Sequence, residues 1–190
     1  MTIKKILKWG FNYLRLFFLK LIYRNRLKLT LKKGMHPPYV SWRSKIGIAK
    51  TGKIILSAGT YVSPFVHVQA LEGAMLIIGE RSYIGDYSRL IAKDTIVIGN
   101  NCLLANNVSL YDHDHIYSDI SRRIGDQGYK IGKIIIEDDC WLATNVVALK
   151  NTNISKHSVI GANSVVVGRL KVTGVYAGIP AKLKRVLNES

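Results

Sequence analysis

Four consecutive acid–base side chains stand out in the sequence: Asp112, His113, Asp114 and His115. An alcohol becomes a good nucleophile only when a base removes its proton, and histidine titrates near neutral pH, so either histidine suits general base catalysis. A neighbouring carboxylate, from Asp112 or Asp114, can orient the imidazole and stabilise its charged form. The sequence leaves open which carboxylate does so, and also whether both histidines only cap turns of a loop.

These residues interrupt a regular repeat. Aliphatic side chains recur every six positions, and a small or β-branched residue usually follows each of them by four places, with Asp94 as a clear exception. The aliphatic positions are Leu56, Val62, Val68, Ile78, Ile84, Leu90, Ile96, Ile98, Leu104, Leu110, Ile136, Leu142, Ala148, Ile154, Ile160 and Val166. The small positions are Thr60, Val66, Ser82, Ser88, Cys102, Val108, Cys140, Val146, Thr152, Ser158 and Ser164.

A period of six predicts a three-sided parallel coil. Neither a helix nor a simple strand keeps such positions on one buried side, whereas three hexads return the chain to its starting side one strand spacing higher. An antiparallel β-sandwich, the alternative, would show hairpin turns instead. We expect Cys102 and Cys140 to stack in the interior. We also expect corner glycines to supply special backbone conformations, a set made of Gly79, Gly85, Gly99 and Gly161.

The repeat is broken by an inserted loop. The offset from Ile98 to Ile136 equals one coil of 18 residues plus 20 extra residues. The insertion, residues 111–133, reads YDHDHIYSDISRRIGDQGYKIGK, which is polar, aromatic and long for a structureless connection. Long loops in compact domains are usually functional, so the loop is expected to carry the chemistry.

The hexads IGERSY, IGDYSR and IGNNCL, together with HSVIGANSVVVG and YAGIPAKLKRVL, resemble those of bacterial hexapeptide-repeat acyltransferases, nearest the galactoside and maltose O-acetyltransferase group. The resemblance covers about residues 46–187. It implies an all-β, left-handed parallel β-helix with a short C-terminal helix, assembled as a homotrimer. It further implies acetyl transfer from acetyl-CoA, with no metal, to a hydroxyl of a sugar or of a polysaccharide or O-antigen precursor.

The resemblance also assigns site residues. Aligning VSL at residues 108–110 with the family's V-S/T-L hexad implies His115 as the base, with His113 as the fallback. Because Val167 and Gly168 stand where the family often has Thr-Lys, a phosphate contact is expected to move to Arg169, Lys182 or Lys184. The positions implied for coenzyme A are Trp141, Ala143, Thr144, Ala162, Val167, Gly168 and Arg185.

Three other functions stay open from the sequence. One is an N-acetyltransferase of an amino-sugar nucleotide, and another is a non-catalytic β-helix scaffold. The third is a zinc site like that of γ-class carbonic anhydrases, for which His67, His113 and His115 are nominal ligands, although the HDH spacing does not look like that family's.

The N-terminal segment, residues 1–45, precedes the predicted β-helix domain at 46–187. Residues 1–71 carry 14 Lys and Arg and no acid, whereas the remaining 119 residues have 14 basic and 12 acidic side chains. The segment reads as a basic amphipathic helix that either docks on an anionic membrane or caps the coil. No nucleic-acid motif accompanies the charge. Docking would make a lipid-linked saccharide a plausible acceptor besides a small molecule.

The expected location is the cytoplasm, with peripheral contact at the inner membrane face if the segment docks. Two cysteines make no disulfide framework, which fits a reducing compartment. The longest apolar stretch, residues 14–23, is interrupted by Arg15 and Lys20 and is shorter than the roughly 20 residues of a spanning helix.

Overall fold

Three parallel sheets wind around a common axis as a left-handed β-helix, as the sequence predicts. The structure, a computed structural model, describes residues 3–187, with side chains from residue 9 onward. The first sheet contains β1 (Leu27–Leu29), β4 (Lys53–Leu56), β7 (Met75–Ile78), β10 (Thr95–Ile98), β15 (Ile134–Ile136), β18 (Asn153–Ile154) and β21 (Arg169–Leu170). The second contains β2 (Tyr39–Val40), β5 (Tyr61–Val62), β8 (Tyr83–Ile84), β11 (Leu103–Leu104), β16 (Trp141–Leu142), β19 (Val159–Ile160), β22 (Gly174–Ala177) and β23 (Lys182–Val186).

The inserted loop follows a strand of the third sheet. This sheet contains β3 (Lys45–Ile48), β6 (His67–Ala70), β9 (Arg89–Ala92), β12 (Ser109–Tyr111), β17 (Val147–Leu149) and β20 (Val165–Val166). Outside the three sheets lie the helix α1 (Ile3–Tyr23), the antiparallel hairpin of β13 (His113–His115) and β14 (Tyr129–Ile131), and two 3-10 turns at Arg24–Arg26 and Ile124–Asp126.

The predicted interior is confirmed at both repeat positions. The sixteen aliphatic residues and the eleven small residues named above are all buried, and each is at most 1% exposed. Ile98 pairs with Ile136 and Leu110 with Ala148, which is the register expected if 20 residues are inserted into one coil. Stacking like side chains coil upon coil builds one continuous apolar column, which is why the period is so regular.

The two cysteines lie in this column. Cys102 and Cys140 are free and buried, as predicted. The contact with the Cys102 thiol, together with burial, raises the pKa of the Cys140 thiol. Both thiols are buried in the interior column, out of reach of a substrate, so this pair suits packing and not catalysis.

The four corner glycines serve a different purpose from the predicted one. Gly79, Gly85, Gly99 and Gly161 are not among the described residues with positive φ. The left-handed conformation falls on a non-glycine residue of the same corner, for example Asn101 with φ 56°. A Cβ on Gly99 would lie 2.7 Å from the backbone nitrogen of Asp138, so glycine is required for the close approach of successive coils.

Helix α1 closes the N-terminal end of the coil. The side chain of Asn12 donates to the carbonyl of Pro38 and accepts from the N–H of Val40, both at 2.9 Å. The hydroxyl of Tyr23 donates to the carbonyl of Ile46 at 2.6 Å. These contacts fasten α1 to the first coil, at three of its backbone polar groups. Within residues 3–187, no helix is long and apolar enough to cross a bilayer.

Two predicted boundaries differ from the structure. The coil begins at Leu27 rather than near residue 46, because β1 and β2 already pair with β4 and β5. The long connection between β1 and β2 hides the repeat there. The predicted C-terminal helix is wrong, because residues 182–186 form β23, antiparallel to β22. This strand covers the backbone edge of the last coil, which a helix in that place would leave unpaired.

Candidate active site

A buried carboxylate holds the base of the inserted loop. Asp112 is fully buried. Its Oδ1 accepts the backbone N–H of Lys93 and its Oδ2 that of Asp94, both at 2.8 Å, while Nδ1 of His113 donates to Oδ1 at 3.0 Å. A buried charge is costly unless it is hydrogen-bonded, so these three donors hold the carboxylate and the imidazole in one geometry. Asp94, the exception to the repeat, is thus the residue whose backbone N–H binds this carboxylate.

The chain beyond Asp112 forms the hairpin of β13 and β14. His113 and His115 are two residues apart on β13 and therefore lie on the same face. The ring of Tyr129 lies 5.6 Å from the His113 ring and 4.5 Å from the His115 ring. The ammonium of Lys93 lies 3.9 Å from the centre of the Tyr129 ring. Both histidines and one tyrosine thus share a surface with a cation beside it.

Asp114 faces the other way from the histidines. Its Oδ2 lies 2.8 Å from the ammonium of Lys150, on the coil that follows the insertion. This ion pair ties the hairpin to the body of the coil. Of the two carboxylates, Asp112 therefore contacts the imidazole of His113, and Asp114 forms an ion pair with Lys150.

The two histidines differ in accessibility. The side chain of His113 is 15% exposed, and its Nδ1 is occupied by Asp112. His115 is exposed on the hairpin. A base must come within hydrogen-bond reach of the proton that it removes, so His115 is better placed to meet a substrate, and His113 is better placed to hold the hairpin.

The rest of the loop is ordered by its own polar contacts. Asp119 accepts hydrogen bonds from the backbone and the hydroxyl of Ser121, and these bonds lower the pKa of the Asp119 carboxyl. Gln127 donates to the carbonyl of Asp119 at 2.9 Å. Large apolar side chains nevertheless stay in solvent, with Tyr117 71% and Ile120 fully exposed.

Three of the residues implied for coenzyme A lie at the same edge as the hairpin. Val167, Gly168 and Arg169 follow β20, where the third sheet passes to the first, and the hairpin leaves the coil at this edge. Gly168 has φ 79°, which a glycine adopts without strain. Arg169 lines a cavity of about 370 Å³ together with Asp94 and Lys133. A cation thus lies beside the base of the loop.

The other implied residues lie elsewhere in the chain. Trp141 is half exposed on the second sheet. Ala143 and Thr144 follow it, and Ala162 lies one coil later at the same edge, where the carbonyl of Thr144 accepts the N–H of Asn163. The exposed basic residues of the C-terminal strand are Lys182, Lys184 and Arg185. Within one chain, all of these residues lie away from the edge of the coil that carries His113 and His115.

The nominal metal ligands are not gathered. His67 lies on β6, in register with Lys45 and Arg89. Burial lowers the pKa of its imidazole, and the positive charges of Lys45 and Arg89 lower it further. Among residues 3–187, no three His, Cys, Asp or Glu side chains are grouped to hold a metal ion.

The sequence reasoning missed Lys93, Tyr129 and Lys150. Lys150 could have been found, because the offset of 38 that reveals the insertion places it one coil beyond Asp112 in the register of β12 and β17. Tyr129 could not, because its position depends on how the loop folds back as β14.

Comparison with known proteins identifies the family. A family model described as the hexapeptide repeat of succinyl-transferase matches residues 75–112. The galactoside O-acetyltransferase of Escherichia coli (strain K12) is 30% identical over 155 residues, which cover 81% of this chain and 73% of that protein. The chain belongs to the hexapeptide-repeat acyltransferase family.

Further members show how far the likeness extends. A putative lipopolysaccharide biosynthesis O-acetyl transferase of Escherichia coli (strain K12) is 27% identical over 65% of this chain and 66% of its own length. This hexapeptide-repeat chain spans between 50% and 73% of the length of the first four curated relatives. A Vibrio cholerae hexapeptide-repeat acetyltransferase, solved in complex with acetyl-coenzyme A, is 30% identical, covers 60% of this chain and 61% of its own, and superposes with a TM-score of 0.56.

Proposed function

We propose that this chain is an O-acetyltransferase that moves an acetyl group from acetyl-CoA to a hydroxyl of a sugar or saccharide precursor. The observation that carries the proposal is the hairpin anchored by Asp112 and His113, with His115 exposed on it. An accessible imidazole on a rigid support is what general base catalysis requires. Family membership supports acyl transfer, and the relatives' names support a sugar hydroxyl and an acetyl group.

In the proposed reaction, neutral His115 removes the proton of the acceptor hydroxyl as its oxygen attacks the thioester carbonyl. A new carbon–oxygen bond forms, and the carbonyl electrons move to the oxygen. The tetrahedral intermediate then collapses, the carbon–sulfur bond breaks, and the imidazolium returns its proton to the coenzyme A thiolate. Backbone N–H groups at the coil edge are suited to stabilise the oxyanion.

The proposed site is shared between two subunits of a homotrimer. Trp141 and Thr144 occupy a different edge of the coil from His115. Parallel coils packed side by side bring one edge of a subunit against another edge of its neighbour, which would place both groups in one cleft. Light scattering should then give three times the chain mass of 21.3 kDa.

The proposed coenzyme A site follows from the distribution of charge and small residues. The pantetheine arm needs a groove without bulky side chains, which Ala143, Ala162 and Gly168 provide at two edges. The phosphates need cations, and Arg169 and Arg185 are exposed. A guanidinium binds phosphate in a bidentate manner, so these two arginines are the expected contacts.

The test is release of coenzyme A thiol from acetyl-CoA with a panel of sugars, amino-sugar nucleotides and nucleotide sugars. We expect His115→Ala to lower turnover about 100- to 10,000-fold, because general base catalysis contributes that much. His157→Ala is the matched control, because this exposed histidine pairs with Asp139 on another edge and should keep full turnover.

Four outcomes would count against the proposal in different ways. Full turnover in His115→Ala with loss in His113→Ala would reassign the base. Full turnover in both variants would remove the mechanism. Failure of the wild-type protein to bind coenzyme A in calorimetry would favour a scaffold, and transfer only to amino sugars would favour N-acetylation.

A further inference from the structure

Helix α1 carries two apolar faces, of which the coil covers only one. Leu16 and Leu19 are 5% and 3% exposed against the end of the coil. Seven large apolar side chains of the same helix are between 43% and 63% exposed: Phe11, Tyr13, Leu14, Phe17, Phe18, Leu21 and Ile22. A large exposed apolar patch normally marks a surface with a partner, so the outer face of α1 is expected to have one.

An apolar groove continues this face. A cavity of about 610 Å³ lies between α1 and the connection that follows β1, with Tyr13, Phe17 and Leu31 in its wall. The side chains of Lys20, Lys32 and Lys33 also line it. The ammonium of Lys32 pairs with Glu80, and that of Lys20 donates to the carbonyls of Arg24 and Leu27. The groove therefore combines room for a hydrocarbon chain with the exposed Lys33 at its wall.

The charge around the face selects the kind of partner. The first 71 residues contain 14 Lys and Arg and no acid. A second copy of the chain would bring the same positive charge to the contact, and like charges repel. An anionic surface complements this charge, and each Lys or Arg near a negatively charged leaflet contributes to binding.

The position of α1 suits a flat surface. The helix lies across the open end of the coil, and Asn12 and Tyr23 fasten it to the first coil. Its outer face therefore points away from the coil. Phe17 and Leu21 are four residues apart and lie on the same side of the helix, with Phe18 beside them.

We propose that the outer face of α1 docks the protein on an anionic bilayer, with Phe17, Phe18 and Leu21 inserted among the acyl chains. Lysines and arginines of the N-terminal segment contact the phosphate headgroups. This is the arrangement of an interfacial amphipathic helix, which lies in the plane of the membrane without crossing it. The proposal concerns location and does not depend on the proposed chemistry.

The test is flotation of the full chain with vesicles of equimolar phosphatidylcholine and phosphatidylglycerol. Phe17→Glu and Leu21→Glu should each lower the bound fraction at least about tenfold, because each removes one large inserted side chain. Val172→Glu is the matched control, since Val172 is 44% exposed near the opposite end of the coil and should leave binding unchanged. Raising the salt from about 0.1 M to about 1 M should weaken binding, because the screening length falls from about 10 Å to about 3 Å.

Circular dichroism of each variant checks that the coil stays folded. Equal flotation of Phe17→Glu and the wild-type protein would overturn the proposal, as would binding to pure phosphatidylcholine that equals binding to the anionic vesicles. Absence of flotation, together with a smaller oligomer for Phe17→Glu in light scattering, would assign the face to a second copy of this chain instead.

Discussion

Replacement of Asp112 by asparagine tests whether the buried carboxylate holds the loop. The amide has the shape of the carboxylate but only one acceptor oxygen, whereas Lys93, Asp94 and His113 all donate to this side chain. At least one buried donor then faces an NH2 group, and the remaining bonds lose the charge of their acceptor. A buried donor without an acceptor costs about 1–3 kcal/mol, so we expect Asp112→Asn to lower the free energy of unfolding by about 2–4 kcal/mol. Turnover should fall about tenfold or more, because the support of His115 is loosened.

Asp114→Asn is the matched control on the same hairpin. Its ion pair with Lys150 is partly exposed, at 41% and 25%, so its loss should cost at most about 1 kcal/mol. The free energy of unfolding is measured by urea denaturation at one fixed protein concentration, which matters if the chain is oligomeric. A loss for Asp112→Asn no larger than that for Asp114→Asn would refute the reasoning.

Two further predictions concern the coil. Gly99→Ala should destabilise the protein by about 1–3 kcal/mol, because the new Cβ would meet the backbone of the next coil. The control Gly125→Ala should change stability by less than about 0.5 kcal/mol, because nothing lies within 4 Å of its Cβ. Equal effects of the two variants in urea denaturation would contradict this. Burial, with Lys45 and Arg89 beside it, lowers the pKa of His67, so the unfolded chain binds the proton more tightly and stability falls as pH drops below about 6.5. His67→Gln should flatten this fall in a pH series of denaturation curves, and an unchanged slope would count against it.

The repeat made the interior of the coil predictable from sequence. Each coil presents the same environment to the same position, so a residue type reports its place without knowledge of distant contacts. Ile98 and Ile136 could be paired across a 20-residue insertion for this reason. Periodicity does not indicate where the stack begins and ends, so β1 is visible only in the structure, and the C-terminal helix implied by the resemblance is replaced by β23.

The reason for the glycines also lay beyond the sequence. Glycine allows both unusual φ values and close backbone approach, and residue type cannot separate the two. Only the distance from Gly99 to the neighbouring coil shows that space, and not conformation, is the requirement.

The sequence by itself located the inserted loop and the residue types that could act as a base. The tertiary structure alone decided that Asp112 holds His113, that Asp114 binds Lys150, and that Tyr129 contacts both histidines. The physical reason is that Asp112 binds backbone of the preceding coil and Asp114 binds a side chain of the following coil. Tyr129 reaches the histidines only because the loop folds back as β14. Spacing along the chain does not specify the direction in which a loop side chain points, because that direction is set by the surface against which the loop folds.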